Sequence, residues 1–238
     1  MIGVCFSGEG ARGAIQAAIL KQLLTKNYKG MKVDFVTGTS SGAINAAMYA
    51  RRGVDELVDM WRGVDKLSNI FEFNKLSCLW KSGAFNQNPA RKIIDEVYRK
   101  PDYFTAVCEI PYVNLETGLV EWDVINSKEG LIRAFAMSGI VETNIYADAG
   151  IALMTPLLRP IERGCNKIIV ILGRDLYNPV PWKANQGLMN ILNKPIGEIV
   201  RVGMRSIEIM LFTILQRDIN LCLERNSNPN YKKIDLEV

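Results

Sequence analysis

A strand, a glycine turn and a helix follow one another twice within roughly the first 55 residues, and this repetition constrains the fold more than any other feature of the chain. Ile2-Gly3-Val4-Cys5-Phe6 has the unbroken apolar character of a buried strand. It runs into Gly8-Glu9-Gly10-Ala11-Arg12-Gly13, after which Ala14 to Thr25 space their Ala, Ile and Leu residues as a helix does. Val33-Asp34-Phe35-Val36 then leads into Gly38-Thr39-Ser40-Ser41-Gly42, and the alanine-rich residues Ala43 to Arg52 form a second helix that stops at Gly53. Two consecutive β-turn-α units predict an α/β fold, with a parallel sheet and covering helices.

The remaining elements are less regular. Val54 to Leu67 reads as helix, Leu76 to Asn88 as a loop with apolar knobs, and Asn88-Pro89 starts a helix over Ala90 to Arg99. Ala106 to Asn114 and Leu119 to Val124 are strand-like, with Glu116-Thr117-Gly118 as a hairpin turn. Leu131 to Met137 is a short helix, and Lys167 to Leu172 is a buried strand ending at Gly173. From Gly197 to Arg225 the residues Val200, Met204, Ile207, Leu211, Ile214, Leu215 and Leu221 keep a helical period, as one long amphipathic helix or two broken ones. With 238 residues and 48% hydrophobic content, the chain can bury one large core; a single domain over residues 1–225 and a fraying polar tail over residues 226–238 are expected.

Composition narrows the chemistry. The formal charge is only +4 and basic residues are scattered among acids, which gives nucleic-acid binding no support. Cys5, Cys78, Cys108, Cys165 and Cys222 are widely spaced and form no C-x-x-C pair, the usage of a reducing compartment. No leader is visible before the first strand, and the apolar stretch Ile209 to Gln216 is far short of the roughly 20 residues a membrane span needs. A cytoplasmic protein, soluble or peripheral on a membrane, is expected. The chain contains no histidine, so it cannot by itself supply a Ser-His-Asp triad, a Cys-His dyad or a His-ligated zinc.

Gly38-Thr39-Ser40-Ser41-Gly42 is a G-x-S-x-G at a strand-to-helix turn, where the helix start directs free N–H groups and a positive dipole end at any anion formed beside Ser40. The same pattern also fits a plain serine cap of a βα loop. Gly8 to Gly13 match G-x-G-x-x-G, the form of a dinucleotide-binding turn. That reading needs an acid at the end of the second strand, whereas Asp34 stands at its start. The alternative is a cradle of main-chain amides beside Ser40. A serine without imidazole needs another base; residues 41–50 contain no lysine, and Asp148, in Tyr146-Ala147-Asp148-Ala149-Gly150, is the attractive acid. An ordinary aspartate is a feeble base, so this one would have to lie against Ser40 with water excluded.

These three elements in this order resemble the patatin-like phospholipase family. The likeness is carried by Phe6-Ser7-Gly8-Glu9-Gly10-Ala11-Arg12-Gly13-Ala14-Ile15-Gln16, by Phe35 to Ala46 around Ser40, by the small-residue run Ala136-Met137-Ser138-Gly139-Ile140, and by Asp148. The resemblance implies a three-layer α/β/α patatin-like fold and a serine acyl hydrolase acting on lipid esters through a Ser-Asp dyad. Ser40 is then the nucleophile and Asp148 the base. Gly8, Glu9, Gly10, Ala11, Arg12 and Gly13 become the oxyanion loop, and Gly38, Thr39, Ser41 and Gly42 the nucleophile elbow. Neither a metal nor an organic cofactor is implied. Glu9 stands where the family usually has glycine, so its carboxylate must turn to solvent or pair with a base such as Arg12; Ala149 replaces the glycine that usually follows the aspartate.

The lipid reading gives two further regions a role. Trp61, Phe71, Phe73, Leu76, Leu79, Trp80 and Phe85 would wall an acyl groove, or else belong to the core. Arg201, Arg205, Arg217 and Arg225 on the late helix would meet anionic head groups, or the helix would simply pack on the sheet. A nucleotide- or phosphate-binding module using the Gly8–Gly13 loop, and a non-catalytic scaffold, remain open beside the hydrolase.

Overall fold

The computed structural model describes residues 1–64, 72–73, 85–86, 88–99, 104–125, 128, 131, 133, 139–141, 144–176 and 194–238. In chain order the elements are β1 (Ile2–Phe6), α1 (Gly13–Gln22), β2 (Phe35–Gly38), α2 (Ser41–Arg62), β3 (Glu72–Phe73), β4 (Phe85–Asn86), α3 (Asn88–Val97), β5 (Val107–Asn114), β6 (Leu119–Val124), β7 (Gly139–Val141), β8 (Asn144–Asp148), α4 (Leu158–Glu162), β9 (Lys167–Ile171), α5 (Lys194–Ser227) and β10 (Asp235–Glu237). The main sheet runs β10-β9-β1-β2-β5-β8-β7, with β6 also paired to β5. From β10 through β5 every neighbour is parallel; β6, β7 and β8 join antiparallel.

The central strands are apolar throughout because both faces are covered. Val4 and Phe6 of β1, Val36 of β2, and Ile169 and Ile171 of β9 enter one core with α1, α2 and α3. The alternate residues Cys5, Phe35, Ile168 and Val170 enter a second core with Leu215, Ile219 and Cys222 of α5. Alternation of side chains along a strand thus divides each apolar run between two layers of helix. The result is the expected α/β/α arrangement around a mostly parallel sheet.

One edge of β5 positions the site. Val107 gives its N–H to Asp34 on the β2 side, and Cys108 takes the N–H of Ile125 on the β6 side. Successive strand residues bond in opposite directions, so β8, which pairs with residues 112–114 while β6 holds the other edge, must share the β2 edge. Strand β2 runs up that edge from the Phe35–Val107 pair, and β8 runs down it to the Asp148–Tyr112 pair. The carboxyl ends of β2 and β8 therefore point at each other.

Several expectations change. The helix expected over Val54 to Leu67 continues α2 across a non-helical Gly53 (φ 82°) and ends at Arg62; residues 65–67 lie outside the described residues. Within the stretch read as a loop, Phe85–Asn86 is a strand paired with β3. Of the helix over 131–137, residues 131 and 133 are helical and the rest lie outside the described residues. Strands β7 and β8 carried no alternating signal. The tail does not simply fray: Asp235–Glu237 adds to the sheet beside β9, and Lys167 Nζ meets Asp235 Oδ2 at 3.1 Å. Helix α5 is continuous, and its inward stripe holds Leu215, Asp218, Ile219 and Cys222 while Leu221 is 46% exposed.

Trp61 is core, 6% exposed, and its indole N–H donates to Asn45 Oδ1 at 2.6 Å. Phe71, Leu76, Leu79 and Trp80 lie outside the described residues. Arg217 and Arg225 are engaged within the protein, donating to the Ala152 and Lys232 carbonyls. Cys5, Cys108, Cys165 and Cys222 are free and buried. No helix among the described residues is long and apolar enough to cross a membrane.

Candidate active site

The turn between β2 and α2 is a tight elbow. Ser40 has φ 57° and ψ −123°, the one positive φ on a non-glycine residue among the described residues. Such a conformation costs of the order of 1–3 kcal/mol and persists only where the surroundings enforce it. Gly38 and Gly42 enforce it by letting the chain close on itself: a Cβ on Gly38 would lie 2.2 Å from Gly42 O, and one on Gly42 would lie 2.6 Å from Phe6 O. The helix then starts with Gly42 N–H on Thr39 O (2.8 Å) and Ala43 N–H on Ser40 O (2.9 Å), leaving the Ser40 side chain without a capping role.

Asp148 ends β8 and opens a single 3₁₀ turn, in which its Oδ1 accepts the Gly150 N–H at 2.8 Å. Ala149 is fully buried and keeps an ordinary negative φ, so the extra methyl fits the turn. The Oδ2 atom is sealed from solvent and has no hydrogen-bonded partner. Burial pushes the carboxyl up to about 6, while hydrogen-bonding influence from the Ser40 hydroxyl and the Gly150 amide tempers the rise. Oδ2 thus receives no formed hydrogen bond from the serine. Ser40 and Asp148, 108 positions apart in the chain (148 − 40), are near enough in the fold for the hydroxyl to act on the carboxyl.

The glycine loop leans on the elbow. A Cβ on Gly8 would come within 3.3 Å of Ser40 Cβ, and Glu9 N–H donates to Ser41 Oγ at 3.3 Å. Not every expected amide is available to a ligand. The Gly8 N–H is used by Met154 O (3.0 Å), that of Arg12 by Glu9 O (3.3 Å), and that of Gly13 by the Gly10 and Ala11 carbonyls. Gly10 (φ 61°) and Ala11 have no acceptor for their N–H groups among the described residues, and both reach the surface.

Glu9 takes the second of the two courses expected of it, pairing with a base, but its principal partner is not Arg12. It is buried, and Arg12 stands 4.0 Å away, at the limit of an ion pair. The main cation is Arg174, whose Nε donates to Oε2 at 3.0 Å; Gly173 N–H donates to Oε1 at 2.9 Å, and the Ser7 hydroxyl also donates to Oε1. From Ser7 a buried chain continues through Gln16 and Asn45 to Trp61. Sequence reading missed Arg174, although its place just beyond the carboxyl end of a central strand is where α/β sheets gather functional groups. Asp34 accepts the Ile2 N–H at 2.9 Å at the opposite end of β2, away from any ligand on the glycine loop.

A model of the family described as patatin-like phospholipase matches residues 4–160. A patatin-like phospholipase domain-containing protein of Caenorhabditis elegans is 39% identical over 72 residues, which are 29% of this chain and 6% of that protein. A second one from the same nematode is 32% identical over 108 residues, 44% of this chain and 6% of that protein. The lysophospholipase nte1 of Aspergillus terreus is 31% identical over 80 residues, 34% of this chain and 5% of that protein. The matches therefore span a small part of these long relatives. The solved structure of VipD from Legionella pneumophila superposes with a TM-score of 0.46 at 11% identity, over 79% of this chain and 52% of that one. The family model covers well over half of the chain and takes in the glycine loop, the Ser40 elbow and Asp148, and by that match the chain belongs to the patatin-like phospholipase family.

Proposed function

We propose that this protein is a lipid acyl hydrolase of the phospholipase A or lysophospholipase type, with Ser40 as nucleophile and Asp148 as base. The observation that carries the reading is the Asp148 carboxyl, with its Oδ2 sealed from water, lifted toward neutral pKa and influenced by a serine on a strained elbow. A carboxylate in that state is a competent proton acceptor near pH 7, which an exposed aspartate is not.

In the proposed reaction Ser40 Oγ bonds to the carbonyl carbon of the ester as its proton passes to Asp148. The oxygen that gains the negative charge is met by the Gly10 and Ala11 amides and by the positive end of α2. Collapse breaks the ester C–O bond, and Asp148 returns the proton to the departing alcohol. Water then attacks the acyl-serine with Asp148 again taking a proton, and the fatty acid leaves with Ser40 restored. Peripheral contact with a lipid surface brings the substrate to the site.

A phosphate-binding role for the glycine loop has less support, because the buried Glu9 carboxylate already accepts the Gly173 amide and the Arg174 guanidinium that an anion would use. A fluorophosphonate probe tests the hydrolase reading. Labelling of the wild-type protein that is lost in Ser40→Ala, together with lost cleavage of a lysophospholipid, is the expected result. Labelling that persists in Ser40→Ala, or ester cleavage that does, removes Ser40 from the mechanism.

A further inference from the structure

Asp218 occupies an inward position of α5 where the helical pattern calls for an apolar residue, and it is 5% exposed. Its Oδ2 accepts the backbone N–H groups of Met154 (2.9 Å) and Thr155 (3.0 Å). Its Oδ1 accepts from Arg217 Nη2 at 2.9 Å, and the same nitrogen donates to Ala152 O at 2.7 Å. One turn of α5 therefore grips residues 152–155 through three backbone groups.

That segment is a strap across the candidate site. Ala152 and Leu153 return their N–H groups to Ala149 O (2.9 and 2.7 Å), within the turn that holds Asp148. Leu153 O accepts from Thr39 Oγ1 at 2.9 Å, beside the nucleophile. Met154 O accepts the Gly8 N–H at 3.0 Å, at the start of the glycine loop. The elbow, the base and the glycine loop are each fastened to the strap, and α5 fastens the strap.

We propose that Asp218 and Arg217 are positioning residues for this site: α5 sets the spacing of nucleophile, base and glycine loop by holding the 152–155 strap. The proposal rests on the reading of Ser40 and Asp148 given above. Burying a carboxylate is costly, and the cost is offset here by charge-assisted bonds to two amides and a guanidinium. A leucine could fill the space between Leu215 and Cys222, yet it would leave the Met154 and Thr155 amides without an acceptor. Misplacement of a reacting group by about 1 Å costs roughly 10²-fold in rate, so slack in the strap is read out in turnover.

The test combines steady-state cleavage of a lysophospholipid with backbone hydrogen exchange on Asp218→Asn, Asp218→Leu and Arg217→Met proteins. Asp218→Leu is expected to lower kcat by about 10- to 100-fold with KM nearly unchanged. It should also speed exchange at Met154, Thr155 and Gly8 while leaving β9 protected. Asp218→Asn keeps an acceptor oxygen and should recover most of kcat, and Arg217→Met should fall between. A kcat per folded molecule within twofold of wild type in Asp218→Leu overturns the proposal, as does Asp218→Asn no better than Asp218→Leu. Where Asp218→Leu does not fold, an unchanged kcat in Arg217→Met overturns it. Absence of probe labelling in the wild type defeats the hydrolase reading instead, and unchanged exchange at Gly8 and Met154 in the variants then overturns the clamp on its own.

Discussion

Glu9 and Arg174, 165 positions apart, meet at 3.0 Å between the glycine loop and the exit of β9. This pair explains how a carboxylate can stand in the loop proposed to face a developing negative charge: its oxygens are turned inward and already bonded. The Glu9 side chain is 0% exposed and that of Arg174 14%, so the carboxylate has no water to fall back on. Arg174→Ala should cost about 3 kcal/mol by leaving a buried carboxylate without its cation. Glu9→Gly in the Arg174→Ala background should restore part of that loss. Urea unfolding of the two single variants and the double one measures the coupling, and additive effects would refute it.

The strain at Ser40 predicts a trade of stability against activity. Ser40→Gly relieves a φ of 57° and should raise stability by about 1 kcal/mol while abolishing probe labelling. Ser40→Ala keeps the Cβ and with it the strain, so it should abolish labelling without the gain. Thermal unfolding of the three proteins distinguishes them; equal midpoints for Gly and Ala variants would show that the backbone stores nothing there.

Gly38 and Gly42 make the opposite prediction. A Cβ on Gly38 meets backbone at 2.2 Å and one on Gly42 at 2.6 Å, and backbone cannot step aside as a side-chain tip can. Either Gly→Ala substitution should cost more than about 4 kcal/mol or prevent folding. Circular dichroism and soluble yield check this, and a well-folded Gly38→Ala protein would mean the elbow is looser than described.

Asp148 ties activity and stability to pH in opposite senses. Its folded value, about 6, lies above the ordinary 3.8 because burial penalises the charged form. The stability contributed by its neutral form is fully present below the unfolded pKa and is lost as pH rises through the folded one. Asp148→Asn should therefore match wild type near pH 4 and exceed it above pH 6, by up to about 3 kcal/mol. Activity runs the other way, since only the ionised base accepts a proton: kcat/KM should rise through about pH 6 and then level. A rise centred near pH 4, or a falling profile, would contradict the assignment of Asp148 as base.

Much of this was legible in local sequence. The runs Ile2 to Phe6 and Lys167 to Leu172, the two glycine turns and the helices behind them are written in neighbouring residues, because strand, tight turn and helix each depend on spacing over a few positions. The hairpin around Glu116-Thr117-Gly118 was legible for the same reason, and Ser40 was marked by the glycines on either side of it. Asp148 was a different case. Strand β8 has only five residues, Asn144–Asp148, and no clear alternation, so nothing local announced that it ends opposite β2.

Tertiary structure decided what those pieces do together. The shared edge of β5 sets the ends of β2 and β8 face to face, and register over several strands cannot be read from any one of them. Folding also gave Glu9 its partner, because Arg174 reaches it only once β9 lies beside β1. It gave Asp218 a purpose where the helical period alone marks a misplaced charge. Residue spacing thus fixed the parts and their local shape, while desolvation and long-range pairing, which exist only in the packed chain, chose the acid, the amides and the supports around Ser40.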